Sequence, residues 1–317
     1  MQRSEENISA ESARPRLKVR AGPCGIHIFD RTTGLNVLVD ETKVPAAMWA
    51  AAPRQVSVAL TNTCDLHCPY CYAPKHSAQL DGELLISWLD ELDAGGCLGV
   101  GFGGGEPTLY PDLARVCRYA AESTGLAVTL TTHAHRLDDR IAADLSGNLH
   151  FIRVSMDGVG DTYRMLRGRS FSSFTHRLDT VRRLAPFRLN YVVNAFTLPD
   201  LDAAVAFAAD AGASEFLLLP EQPVRARGGI DGRTVQKLRD WVNSYRGSVP
   251  LSVSEAGEAG LPTCDPLAEE MGLRAYAHID ASGVLKRSSY DAAGVPIGAG
   301  GVMKALKMLE LTIGGDR

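Results

Sequence analysis

The sequence predicts an α/β protein: a partial (β/α)6 barrel, preceded by an N-terminal β-hairpin segment and followed by a small C-terminal α+β extension. Two observations carry that prediction. From Arg54 onward, short strand-like runs alternate with amphipathic runs about three helical turns long. After Arg225 the alternation stops. Alternating strands and helices build a parallel sheet with right-handed crossovers. Six units are too few to close an eight-fold barrel and enough for an open one.

The elements follow in order. Residues 1–16 are polar and rich in Glu and Ser, the composition of a disordered tail. Residues 17–53 hold a hairpin within Gly25–Asp40, where Ile26, Ile28, Leu35, Val37 and Val39 alternate with polar residues around Arg31-Thr32-Thr33-Gly34. Residues 54–225 form the core. Its strands are expected at Gln55–Thr61, Leu98–Phe102, Ala127–Thr132, Phe151–Met156, Leu189–Ala195 and Phe216–Pro220. Its helices are expected at Leu84–Asp93, Leu113–Glu122, Asp139–Leu145, Phe174–Leu184 and Leu201–Ala211. Residues 226–317 form the extension, with a helix at Val235–Tyr245, a strand at Pro250–Ser254, a second hairpin made by Ala275–Asp280 and Val284–Arg287, and a last helix at Lys304–Leu311.

Composition narrows the function classes. The 317 residues are 45% hydrophobic and 22% charged, which is ordinary for a globular chain. A net charge of −4 gives no electrostatic support for nucleic-acid binding. Met1–Arg16 lack the apolar core of a secretory signal, and no run is long and apolar enough to span a bilayer. A cytoplasmic location without a membrane or nucleic-acid partner is expected.

Seven cysteines occur, an odd number in a long chain, so a disulfide scaffold is not expected. Cys64, Cys68 and Cys71 crowd into eight residues with the spacing C-x3-C-x2-C, just after the first core strand. Ligands of such sheets bind beyond the carboxyl ends of the strands. A cubane [4Fe–4S] cluster takes four thiolates, and three close ones leave one iron open. A Cys3His zinc site using His67, or three inert thiols, are the plainer readings. Cys24, Cys97 and Cys117 have apolar neighbours and read as structural thiols.

The cysteine loop, with Tyr70 before its last cysteine, resembles the signature of the radical S-adenosylmethionine family. The resemblance runs from about Arg54 to Pro220 and implies a partial TIM-like barrel. It implies that Cys64, Cys68 and Cys71 hold the [4Fe–4S] cluster, with S-adenosylmethionine on the fourth iron. Gly103-Gly104-Gly105-Glu106-Pro107 after the second strand is similar to the family's Gly-Gly-Glu-Pro motif. That similarity implies contacts from Gly104, Gly105 and Glu106 to the cofactor's amino group. Thr131-Thr132-His133-Ala134 departs from the family's Thr-Asn-Gly. Thr132 is kept as a cofactor contact, and the role of His133 stays open. Val154-Ser155-Met156-Asp157-Gly158 is similar to Ser-x-Asp-Gly, which implies a contact from Ser155; Asp157 either does the same or caps the next turn. Asn194 and the backbone at Leu219 complete the implied cofactor set. Thr162–Phe171 resembles a stretch of peptide-modifying members; Arg167 within it is either a partner of the methionine carboxylate or a surface cation.

The resemblance implies an enzyme that cleaves S-adenosylmethionine reductively to a 5′-deoxyadenosyl radical, which takes hydrogen from a substrate. A ribosomally made peptide is the expected substrate, a small metabolite the alternative, and a non-catalytic iron–sulfur or zinc protein the third reading. An electron donor such as flavodoxin or ferredoxin is implied. Cys264 and the hairpin after it are similar in outline to a cluster-bearing extension, but Lys286-Arg287-Ser288-Ser289 follows where a further cysteine would stand. A single cluster is therefore expected, and Cys264 is either a hydrogen donor to a substrate radical or a packed thiol.

Overall fold

A computed structural model describes residues 16–224, 228–265 and 267–314. It begins with an antiparallel sheet of β1 (Leu17–Gly22), β2 (Gly25–Asp30) and β3 (Asn36–Val39). The expected hairpin is the β2–β3 pair, and β1 adds a third strand. The disorder expected over residues 1–16 falls on residues outside the described ones except Arg16, which pairs with Asp30 at 2.7 Å. Arg20 fastens this sheet to the rest. It is 3% exposed, pairs with Glu270, and donates to the carbonyls of Ala52, Gly96 and Arg274.

The core sheet places β4 (Gln55–Thr61), β5 (Gly99–Gly104), β6 (Ala127–Thr132), β7 (Phe151–Ser155), β8 (Phe187–Val193) and β9 (Phe216–Pro220) side by side in chain order, all parallel. Between them run α1 (Gly82–Ala94), α2 (Leu113–Ser123), α3 (Asp139–Leu145), α4 (Asp161–Arg167), α5 (Phe171–Leu184) and α6 (Leu201–Asp210). The strands have two unlike faces. Val56, Val58 and Leu60, Val100 and Phe102, Val128 and Leu130, and Ile152 and Val154 are fully buried members of the core. The alternate positions Ser57, Gly101, Thr131 and Arg153 line a cavity. Helices start where side chains cap them: Asp81 accepts from the amides of Glu83 and Leu84 at 2.8 and 3.0 Å, and α1 then buries Leu85, Trp88, Leu89 and Leu92 at helical spacing.

The C-terminal third adds strands to the core sheet. After α7 (Gly232–Ser244), β10 (Leu251–Val253) pairs parallel with β9, so a seventh parallel strand continues the barrel. β11 (Tyr276–Ile279) pairs parallel with β4 at the opposite edge. β12 (Val284–Lys286) and β13 (Val295–Pro296) add antiparallel strands outside it. The result is an open sheet of ten strands, of which β4 to β11 are parallel. α8 (Gly301–Gly314) packs on α1, where Glu91 accepts from the Met303 amide at 3.1 Å. No described helix is long and apolar enough to cross a membrane.

Candidate active site

A cavity of about 980 Å³ opens at the carboxyl ends of the parallel strands. Residues of β4, β5, β7, β9, β10 and β11 all line it, so the sheet curls until both ends of its parallel part face one space. The three clustered cysteines Cys64, Cys68 and Cys71 line it from the loop after β4, each half-buried. A single zinc ion with sulfur ligands at about 2.3 Å would need them within about 4.6 Å of one another. The only described group of three ligand side chains that converges within 4.8 Å is Cys64, Asp65 and His133. Hydrogen bonds explain that grouping: His133 Nε2 lies 2.9 Å from Asp65 and 3.2 Å from Glu106. His67, the fourth ligand of the zinc reading, is exposed. A donor set of three separated thiols at one cavity wall fits a cluster better than one ion. Burial pushes the Cys64 thiol up to about 11 and raises that of Cys68, so metal loading must release protons.

The glycine loop after β5 is held against the root of the cysteine loop. Gly105 donates to the Thr61 carbonyl at 2.7 Å and Glu106 to that of Thr63 at 2.8 Å. Gly104 has φ +126°, and a Cβ on Gly105 would stand 2.2 Å from the Thr63 carbonyl oxygen. Glycine is required here by the approach of two backbones. Both glycines line the cavity.

Three expected cofactor contacts face elsewhere. Glu106 is fully buried and does not line the cavity. Its Oε1 accepts from the hydroxyls of Thr108 and Thr132, each at 2.7 Å, and its Oε2 accepts from the His133 amide at 3.1 Å. Asp157 is also fully buried: Oδ1 accepts from the Val192 amide at 2.7 Å, and Oδ2 takes Tyr70 at 2.5 Å and an ion pair with Arg167. Asn194 accepts from the amides of Phe196 and Thr197 and donates to Glu221 at 2.7 Å. In each case the polar atoms already have partners within the protein. Tyr70, Thr132, Ser155 and Leu219, by contrast, line the cavity. His133 lines it too, and Ala134 takes the left-handed φ of 65°.

Arg167 is no surface cation. Its side chain is 10% exposed, and Nη1 lies 3.6 Å from the Cys68 sulfur. Burial opposes its charge most strongly, but Asp157, Tyr70, Cys68 and Tyr163 together outweigh burial and raise its pKa. Cys264 is exposed and does not line the cavity, so the structure does not bring it to the site as a hydrogen donor. Cys97 and Cys117 are fully buried among apolar side chains, and Cys24 lies away from the cavity. Sequence reasoning passed over Ser57, Arg153, Arg188, Asn190, Tyr276 and His278, all on the cavity wall. The signal was present: polar residues at alternate positions of strands buried on both faces.

Glu106→Gln should lower the thermal stability of the metal-free protein, by about 1.5–3 kcal/mol, because the amide places a donor against the donors of Thr132 or His133. A residue serving only a cofactor would leave the metal-free protein's unfolding unchanged, and thermal unfolding decides between the two.

A cysteine loop on the first parallel strand, facing one cavity with a glycine loop on the second, defines a cluster-binding α/β barrel. The Radical SAM superfamily profile matches residues 58–205, and the chain belongs to that superfamily. Over 171 residues it is 34% identical to the PqqA peptide cyclase of Rhodopseudomonas palustris, covering 50% of this chain and 45% of that protein. Over 182 residues it is 29% identical to the AdoMet-dependent heme synthase of Methanosarcina barkeri, covering 53% and 52%. The matches thus span about half the length of these relatives. Among solved structures, Streptococcus suis SuiB bound to S-adenosylmethionine is similar with a TM-score of 0.68 at 14% identity, covering 87% of this chain and 82% of SuiB. The anSMEcpe structure with bound AdoMet has a TM-score of 0.56 at 16% identity over 76% of each chain. Both likenesses concern the fold. The superfamily uses a [4Fe–4S] cluster and S-adenosylmethionine, and the open set of three thiols fits them.

Proposed function

We propose that this chain is a radical S-adenosylmethionine enzyme that modifies a peptide. The observation carrying the reading is that Cys64, Cys68 and Cys71 share one cavity with Tyr70, Gly104, Gly105, Thr132, Ser155 and Leu219. The three cysteines would hold the cluster, and the other residues would bind S-adenosylmethionine. When bound, the pair supplies reductive cleavage and a radical that takes hydrogen from a substrate carbon.

The chain's own residues bind, orient and exclude water. Arg167 sets a cation beside Cys68, where thiolate charge has to be offset. Asp157 fixes both Arg167 and Tyr70, and so the side of the cysteine loop that faces the cavity. Glu106 orients Thr132 and His133 from behind. A small electron-transfer protein of the flavodoxin or ferredoxin type would feed the cluster. The peptide substrate is supported by the PqqA peptide cyclase likeness and by the fold of SuiB, solved with its precursor peptide SuiA. The heme synthase likeness favours a small molecule as the second reading.

The test is anaerobic reconstitution with iron and sulfide, reduction with dithionite, and addition of S-adenosylmethionine. Formation of 5′-deoxyadenosine and methionine is expected. Full cluster loading without cleavage would reject the reading. Deuterium transfer from a labelled peptide into 5′-deoxyadenosine separates the peptide from the small molecule.

A further inference from the structure

Below the strand ends the cavity wall carries a cation that makes no ion pair among the described residues, since Glu215 near it is paired with Arg188. Arg153 sits in the middle of β7, two residues before Ser155, hence about 6–7 Å deeper than the strand ends. Among the described residues it makes no hydrogen bond or ion pair, and its Nε is buried without a partner. Its neighbour in register, Arg188, is provided for: Nη1 lies 2.5 Å from Glu215, and Nε donates to Asn190 at 3.2 Å.

The surroundings make room for the guanidinium and add, beside the Thr129 hydroxyl, a second donor without a partner. A Cβ on Gly101 would stand 3.4 Å from Arg153 Nη1, so glycine keeps the floor open. The same point is 3.6 Å from Gln55 Nε2, a second buried donor with no partner. An unpaired buried cation is costly, and it persists where a ligand completes it. Two unused donor groups around one opening call for a ligand that only accepts, and a carboxylate meets an arginine fork with two oxygens.

We propose that Arg153, with Gln55, binds a carboxylate of the substrate at the base of the cavity. This deepens the proposed function, since it takes the cavity as the substrate chamber. The depth separates the site from the cysteine loop and from the glycine loop, where the cofactor would lie. A substrate anchored there would present carbons above its carboxylate toward the cofactor. Burial, with Arg188 alongside, lowers the Arg153 pKa to about 10, and it remains a cation at neutral pH.

The probes are N-acetyl-glutamate α-amide, with one side-chain carboxylate, and its neutral isostere N-acetyl-glutamine α-amide. Equilibrium dialysis uses radiolabelled probes and cluster-loaded protein, with and without S-adenosylmethionine. The glutamate probe should bind at least about tenfold more tightly than the glutamine probe. Arg153→Gln should remove that preference. Equal retention of both probes, or retention of neither, overturns the proposal. Displacement of the glutamate probe by S-adenosylmethionine also overturns it, by assigning Arg153 to the cofactor. If Arg153→Gln fails to fold, the two probes on the unaltered protein still decide. Reductive cleavage is measured on the same preparation. Its absence with probe preference intact would reject the radical reading and leave the carboxylate site standing.

Discussion

Replacing Cys64, Cys68 and Cys71 together by alanine is expected to leave a folded protein that holds almost no iron and cleaves no S-adenosylmethionine. Reconstituted wild-type protein should hold about four irons per chain, the content of one cubane. The three side chains lie half-buried in a loop, outside the apolar core, so their loss should hardly move the unfolding temperature. Cys97 and Cys117 give the opposite pattern. Both are fully buried, and burial holds Cys97 as a neutral thiol with its pKa pushed up to about 11. Alanine at either should lower the unfolding temperature and leave iron per chain unchanged. Iron analysis of the two sets of variants, beside their unfolding curves, separates ligand from core. Iron retained in the triple variant would remove the cluster from this loop.

Asp157→Ala should be among the most destabilising single changes in the barrel. The carboxylate is fully buried and joins three segments: Tyr70 of the cysteine loop, Arg167 of α4, and the Val192 amide of β8. Removing it leaves a guanidinium without its partner, at a cost of about 3–5 kcal/mol. At roughly 2–4 °C per kcal/mol this lowers the unfolding temperature by roughly 6–20 °C. Removing Arg167 as well, by Arg167→Met, should restore part of the loss, since no unpaired charge then remains. Iron content should fall too, because Tyr70 stands between Cys68 and Cys71 and loses its anchor. A shift of only a degree or two in the metal-free single variant would show that Asp157 does not hold these segments together.

The βα rhythm was legible because each core strand keeps apolar residues at alternate positions against the helices. α4 was missed: seven residues with only Tyr163 and Leu166 buried give too little periodicity to detect. The places of β10 and β11 could not be read either, since local pattern does not name a strand's partner. Within the site, spacing alone marked Cys64, Cys68 and Cys71. It also drew attention to Glu106, Asp157 and Asn194 but could not say which way they face. That depends on donors such as Thr132, Arg167 and Thr197 brought in from other segments. Arg153 and Arg188 were passed over because no motif or spacing marks a charge within a strand, whereas a curled sheet has an inner face that is polar.

The pairing of β11 with β4 bears on the order of events during folding. β4 carries the cysteine loop, and one of its two edges is completed by Tyr276–Ile279, far along the chain. Until that segment arrives, β4 is an edge strand with open hydrogen-bonding groups, and closing so long a loop is slow. Arg20 depends on the same late region through Glu270 and the Arg274 carbonyl, so the N-terminal sheet is fastened at about the same stage. A ribosome-bound chain lacking the last third would therefore display its thiols on an unfinished barrel. Metal delivered then would meet a loop without its final support, and iron loading is best timed after Tyr276–Ile279 has docked on β4.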